Sequence, residues 1–159
     1  MATDFAKRSE IFSYLKVENE YHLMGAGITA LDDSLNPVTE EEAFIMDNSS
    51  TTTVDGYNPS FAFTMRVSKT DPVAVFLRGL GKGLATGEAA QTTMVRFDGW
   101  EQDINRVAPA KEYNVAIAVD YTDNGEGMAK IEMSGTIYVQ GDPVDGEFDI
   151  PTETFTALS

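Results

Sequence analysis

Several stretches of the chain carry side chains of a type and spacing that could do chemistry. Gly79-Leu80-Gly81-Lys82-Gly83 has the glycines and the lysine of a phosphate-cradling loop. Such a loop needs Gly, four residues, then Gly-Lys-Ser/Thr, opening a helix after a strand. Here Lys82 is followed by Gly83, and the glycines close a helical pattern instead of opening one. Asp120-Tyr121-Thr122-Asp123-Asn124-Gly125 begins like a calcium loop, but the twelfth position, where a bidentate glutamate belongs, is Ile131. His22 is the only histidine and there is no cysteine, so thiolate metal sites, disulfides and multi-histidine clusters are excluded. Asp32-Asp33 and Glu40-Glu41-Glu42 place carboxylates side by side, as acid–base work would require. Their polar surroundings make a solvated face the simpler account. Trp100, after Asp98-Gly99, is read as a strand-end core or interface residue before a binding platform. Asn48-Ser49-Ser50 matches a glycosylation sequon, which has meaning only on a secretory route. These residues do not converge on a catalytic constellation, so the expectation is a protein that is not an enzyme, with no cofactor and no metal.

The elements that would position these residues are mostly strands. From Ala129 to Gln140 the apolar residues Ala129, Ile131, Met133, Ile137 and Val139 alternate with Lys130, Glu132, Ser134, Thr136 and Gln140. That period of two gives a long strand with one apolar and one polar face. Tyr113, Val115, Ile117, Val119 and Tyr121 alternate in the same way. Asp123-Asn124-Gly125 predicts a type I′ hairpin turn between the two. Further strands are expected at Ile11 to Val17, around Tyr21 to Ile28, at Phe61 to Val67 and at Thr92 to Phe97. Asp71-Pro72 starts a helix, with Asp as cap and Pro in the first turn, and the glycines from Gly79 onward end it near Leu80. Asp32, Asp33, Asn36 and Pro37 form a turn cluster, and 32–56 predicts a long polar, acidic loop or arm around the apolar patch Phe44-Ile45-Met46. The fold class is mainly β: a sandwich or partly closed barrel with one flanking helix, over 71–80, and one long interaction loop.

Length and charge bound the function. One domain over 1–159 fits 159 residues, enough to bury a core without staples. The N-terminus lacks a signal-peptide core and no run reaches the length of a membrane span, so a soluble protein made in the cytoplasm is expected. A net charge of -15, from 26 acidic and 11 basic residues, is the opposite of the basic footprint of a nucleic-acid binder and would repel phosphate, unless the few Lys and Arg gather on one face.

Three segments, in order, carry a family resemblance. They are Met24-Gly25-Ala26-Gly27-Ile28-Thr29 with Leu31-Asp32, Asn36-Pro37 and Thr39-Glu40-Glu41; then Asp55-Gly56-Tyr57-Asn58-Pro59-Ser60-Phe61 with Asp71-Pro72-Val73; then Ser134-Gly135-Thr136-Ile137 through Gly141-Asp142-Pro143-Val144 to Gly146-Glu147-Phe148-Asp149. Together the chain resembles the major tail (tail tube) proteins of long-tailed, non-contractile bacteriophages of Gram-positive hosts. The resemblance implies a virion subunit that forms stacked hexameric rings, the channel through which the genome leaves. Its implied partners are other copies of itself, a tape-measure protein, and tail terminator and baseplate proteins. DNA passes through the lumen without specific binding, and no membrane is involved. The chain stops at Ser159, so the extra C-terminal immunoglobulin-like domain of some relatives is not expected. Contractile tails and secretion systems build tubes of the same architecture and remain alternatives, as does a β-sandwich module binding a surface glycan or protein. Candidate inter-subunit residues in the long loop are Leu35, Pro37, Phe44, Ile45, Met46 and Tyr57. Asp120 and Glu132, on the polar series of adjacent strands, are the lumen candidates, because an acidic wall disfavours adhesion of a duplex carrying one charge per about 1.7 Å.

Overall fold

In the computed structural model, which describes residues 4–158, the alternating segments pair into one antiparallel sheet of eight strands. Met1, Ala2, Thr3 and Ser159, which enter the expectations about the two chain ends, lie outside the described residues. The strands are β1 (Ile11–Val17), β2 (Glu20–Leu23), β3 (Ile28–Ser34), β6 (Ser60–Arg66), β7 (Gln91–Asp98), β8 (Val107–Asn124), β9 (Glu132–Asp149) and β10 (Thr154–Ala157). Their spatial order is β2-β1-β7-β8-β9-β6-β3, with β10 on the far half of β9. β4 (Pro37–Glu42) and β5 (Thr51–Tyr57) form a separate two-stranded ribbon, and α1 (Pro72–Lys82) is the single α-helix among the described residues. The fold is mainly β with one flanking helix, as the alternation predicts, and the sheet does not close into a barrel.

The two 18-residue strands β8 and β9 are the spine, and the sheet buries a different face at each of their ends. On one face Leu15, Phe63, Met65, Met94, Val115, Met133 and Ile137 pack under α1 through Val73, Ala74 and Leu77. On the opposite face, at the other end of the spine, Tyr14, Val95, Phe97, Ala108, Ala110 and Phe148 form a second core. Its rings reach across the sheet: Tyr14 on β1 lies 4.5 Å from Phe148 on β9, and Tyr21 on β2 lies 5.9 Å from it, edge-on. Those strands are three and four places apart. A flat sheet would hold them about 14–19 Å apart, so this end is rolled around its own aromatic core. Gly135 permits the tight seat of the first core, since a Cβ there would stand 2.9 Å from the Phe63 ring.

The helix start follows the sequence. The Asp71 side chain accepts a hydrogen bond from Ala74 N at 3.1 Å, with Pro72 in the first turn. Asp71→Ala should lower unfolding stability by about 1 kcal/mol, read by urea denaturation; an unchanged midpoint would mean the cap is redundant. The helix end departs from expectation. It runs on through Gly79 and Gly81 to Lys82. A Cβ at Gly81 would lie 2.5 Å from the Thr122 methyl group, so this glycine permits close approach to β8. Arg78 (2.9 Å) and Lys82 then hold Asp123 and keep its carboxyl below its ordinary value.

Other expectations need correction. Asn124 and Gly125 do not make a type I′ turn. Neither takes a positive φ, and the connection is the longer 125–131 loop, with Gly127 left-handed at φ 55° and Ala129 N bonding Glu126 O at 3.0 Å. Ala129, Lys130 and Ile131 therefore precede β9 instead of opening it. Asp32 and Asp33 are strand residues of β3, and the turn follows them at Leu35-Asn36, where Asn36 takes φ 45°. Trp100 sits half exposed in a 3-10 turn, outside both cores. The stretch expected as a loop from 32 to 56 is largely the β4–β5 ribbon. Thr51, Thr52, Thr53 and Val54 pair with Glu42, Glu41, Glu40 and Thr39, because β-branched residues suit an extended ladder even when polar.

Candidate functional site

The face of the sheet turned away from α1 is open over the half of β8 and β9 that adjoins β6 and β3. Alternation places Asn114, Ala116, Ala118 and Asp120 there from β8, and Glu132, Ser134, Thr136, Tyr138 and Gln140 from β9. Ala62, Thr64 and Arg66 continue it on β6. The face is made mostly of small, uncharged side chains, none of them buried. Asp120 and Glu132 share this face. The register shift between Val119 and Tyr121 brings Tyr121 onto the same side, and its hydroxyl donates to Glu132 at 2.8 Å. That hydrogen bond raises the Tyr121 pKa. Arg66 pairs with Glu132 in the ladder, so the charge on this face is less one-sided than the two acids alone suggest.

The second surface is the ribbon. Every residue from 32 to 55 is exposed. β3 with β6 and β4 with β5 make one long hairpin, interrupted at Leu35-Asn36 and Asn58-Pro59. Asn58 N donates to Leu35 O and Asn36 O across the break, and Asn36 Nδ2 donates to Asn58 O at 3.0 Å. The ribbon stands off the domain as an arm. At its tip, Asp47 N donates to Phe44 O and Phe44 N to the Asp47 carboxylate, both at 2.8 Å, which fixes a tight turn and turns Phe44, Ile45 and Met46 outward, 69%, 101% and 88% exposed. Leu35, Pro37 and Tyr57 lie exposed at its base. Val38, Val54 and Tyr138 are exposed too; the first two sit in polar runs, and Tyr138 lies on the polar face of β9 between Ile137 and Val139. The arm's acids, Glu40, Glu41, Glu42, Asp47 and Asp55, have no ion pair among the described residues.

At the foot of the arm a groove of about 950 Å³ runs between Leu35 and Tyr57 on one side and Tyr113 and Lys111 on the other. Its floor holds Arg96, whose guanidinium lies 4.5 Å from the Phe61 ring centroid. Burial, then the charge of Arg8, draws the Arg96 pKa below its ordinary value. The carboxylates Asp33, Asp98 and Asp145 line the same groove, and Lys111 is committed to Asp145 at 2.7 Å. His22 lies on β2 beside Glu20, 3.9 Å away. No group of three or more His, Cys, Asp or Glu able to hold a metal ion occurs among the described residues. No helix is long and apolar enough to cross a membrane.

No family model matches the chain, and no curated protein matches it in sequence. Fifteen chains of solved structures match its fold. One belongs to the cryo-EM structure of the anti-feeding prophage baseplate, 6-fold symmetrised. At 10% identity and a TM-score of 0.50, the likeness covers 94% of this chain and 99% of that one, and what the two share is the fold.

Proposed function

We propose that this chain is a structural subunit of a phage-type tail, a single tail-tube domain over 1–159 whose copies form stacked, hexameric rings around a channel for genome delivery. The observation that carries the reading is a run of 24 consecutive exposed residues, 32–55, which includes most of the arm and whose apolar tip is covered by no other described residue. A free chain gains nothing from holding Phe44, Ile45 and Met46 in water, whereas an assembled one buries them. The sheet supplies the second support: its edges at β2 and β3 have open pairing positions, which neighbouring copies can extend. The fold likeness to a chain of the 6-fold symmetrised anti-feeding prophage baseplate fits the same reading. In this arrangement the open face lines the lumen. Small uncharged side chains with Asp120 and Glu132, and a lone Arg66 beside Glu132, offer DNA little net cationic grip. Tape-measure, terminator and baseplate proteins are the partners such a tube requires, and the virion tail is its location.

Electron microscopy of the concentrated, purified protein tests this. Rings or tubes are the expected result, with a density map that puts Asp120 and Glu132 on the inner wall. A monomer at every salt and protein concentration would overturn the reading in favour of a binding module, with the Arg96 groove as its site. Tubes with both acids on the outer wall would remove the lumen assignment alone.

A further inference from the structure

The groove at the foot of the arm lies on the α1 side of the sheet, but none of its lining comes from the helix. Arg96 and Lys111 reach it because they alternate with Val95, Phe97 and Ala110, which face the second core. Its walls are apolar and aromatic: Leu35, Tyr57 and Tyr113, with Pro59, Pro109 and Pro143. Leu35 and Tyr57 are both more than half exposed. The rim is acidic. Asp33, Asp98, Glu101, Asp142 and Asp145 stand against Arg96 and Lys111. Five carboxylates and two cations leave three net negative charges. Asp33, Asp98, Glu101 and Asp142 have no ion pair among the described residues. Arg96 does not reverse that sign, since its guanidinium sits over the Phe61 ring with Asp33 and Asp98 as its nearby opposite charges.

The backbone limits what can lie here. Beneath the groove β7 pairs with β1 and β8, and β8 pairs with β9. Pro59, Pro109 and Pro143 carry no N–H. An incoming strand therefore finds no ladder to extend on the floor. A polyproline II segment needs none, because it has no internal hydrogen bonds and its backbone stays solvated. Aromatic-lined grooves take such segments, whose preformed helix loses little entropy on binding. We propose that this groove binds a proline-rich, cationic segment of a partner protein. Its prolines and apolar side chains pack between Leu35, Tyr57 and Tyr113, and its Arg or Lys residues meet Asp98, Glu101 and Asp142. A second copy does not supply such a segment, since the six prolines of this sequence are scattered singly. The cleft, at about 950 Å³, has the size of a ligand site. Its lining comes from one copy, so the binding is independent of the tube reading.

Fluorescence anisotropy on the purified full chain tests this with three labelled peptides. The first is proline-rich with an arginine at each end. The second carries glutamate in place of each arginine, and the third glycine in place of each proline. The first should bind saturably and about tenfold more tightly than the other two. Tyr57→Ala, which removes an aromatic wall, should weaken it about tenfold. Glu101→Lys with Asp142→Lys should weaken it about tenfold at low salt, the loss shrinking as salt is added. Glu40→Lys with Glu42→Lys makes the same charge change on the arm and should leave binding unchanged, which separates the groove from general attraction to an acidic protein. All five positions are exposed, and circular dichroism confirms that each variant is folded. No saturable binding, equal binding of the glycine peptide, or equal losses from the groove and arm reversals would overturn the proposal. Tighter binding of the glutamate peptide would overturn it in favour of an anionic ligand on Arg96.

Discussion

Removal of residues 38–54 should abolish polymerisation and leave the domain folded. The arm shares no core residue with the domain, since every position from 32 to 55 is exposed and both cores are built elsewhere. The deletion also closes well. It joins Pro37 to Asp55, leaving Asp55-Gly56 as a two-residue connection between Pro37 and Tyr57, which already face each other in the ladder. Asp-Gly is among the sequences preferred for such a turn. The thermal midpoint should therefore move by only a few degrees. Assembly should lose the burial of three large apolar side chains per copy, each worth about 1.5–3 kcal/mol when fully covered. A loss of that size at every contact takes association out of the accessible concentration range. Light scattering and circular dichroism on the same sample separate the outcomes: a folded monomer is expected, and tubes built from the shortened chain would show that the arm is dispensable.

Phe148→Ala should be among the most damaging single substitutions in the chain. Phe148 is fully buried and its ring meets Tyr14 at 4.5 Å, Phe97 at 5.4 Å and Tyr21 at 5.9 Å. These contacts hold the rolled end of the sheet together. Truncating a buried Phe costs about 3–5 kcal/mol, against about 5–15 kcal/mol for a whole domain. The midpoint of thermal unfolding should drop by about 10 °C or more. Phe44→Ala, on the arm, should leave that midpoint unchanged. A loss below about 1 kcal/mol for Phe148→Ala would mean that the far end is held by its backbone ladder and not by its rings.

The parts of the fold that were legible in the sequence are those where local chemistry and tertiary context agree. Asp71-Pro72 marks a helix start in any setting. The alternation of Val115, Ile117, Met133 and Ile137 is the direct imprint of a strand with one buried face. Elements at the margins were not legible. β3 carries Asp32-Asp33, and the ribbon carries three glutamates and four threonines, because edge and free-standing strands are solvated and have no apolar face to betray them. Pro109 lies in β8 past the last residue paired to β7, and Pro143 lies in the bulge of β9 between Gln140 and Val144, so neither is asked to donate where a ladder bond is due. The aromatic core around Phe148 depends on how the sheet rolls, which no spacing of residues encodes. As for the candidate surfaces, the sequence marked the Phe44-Ile45-Met46 tip and the face of Asp120 and Glu132.

The break between the two ladders of the long hairpin has a mechanical consequence. Asn36 in its left-handed conformation and the hydrogen bond from its side-chain amide to Asn58 O are what connect a stiff sheet to a stiff ribbon. A stack coupled through such joints behaves as a chain of rigid links with compliant couplings. Curvature imposed on the whole filament would be taken up as small rotations at each joint, so the wall of every link keeps its bore while the filament flexes.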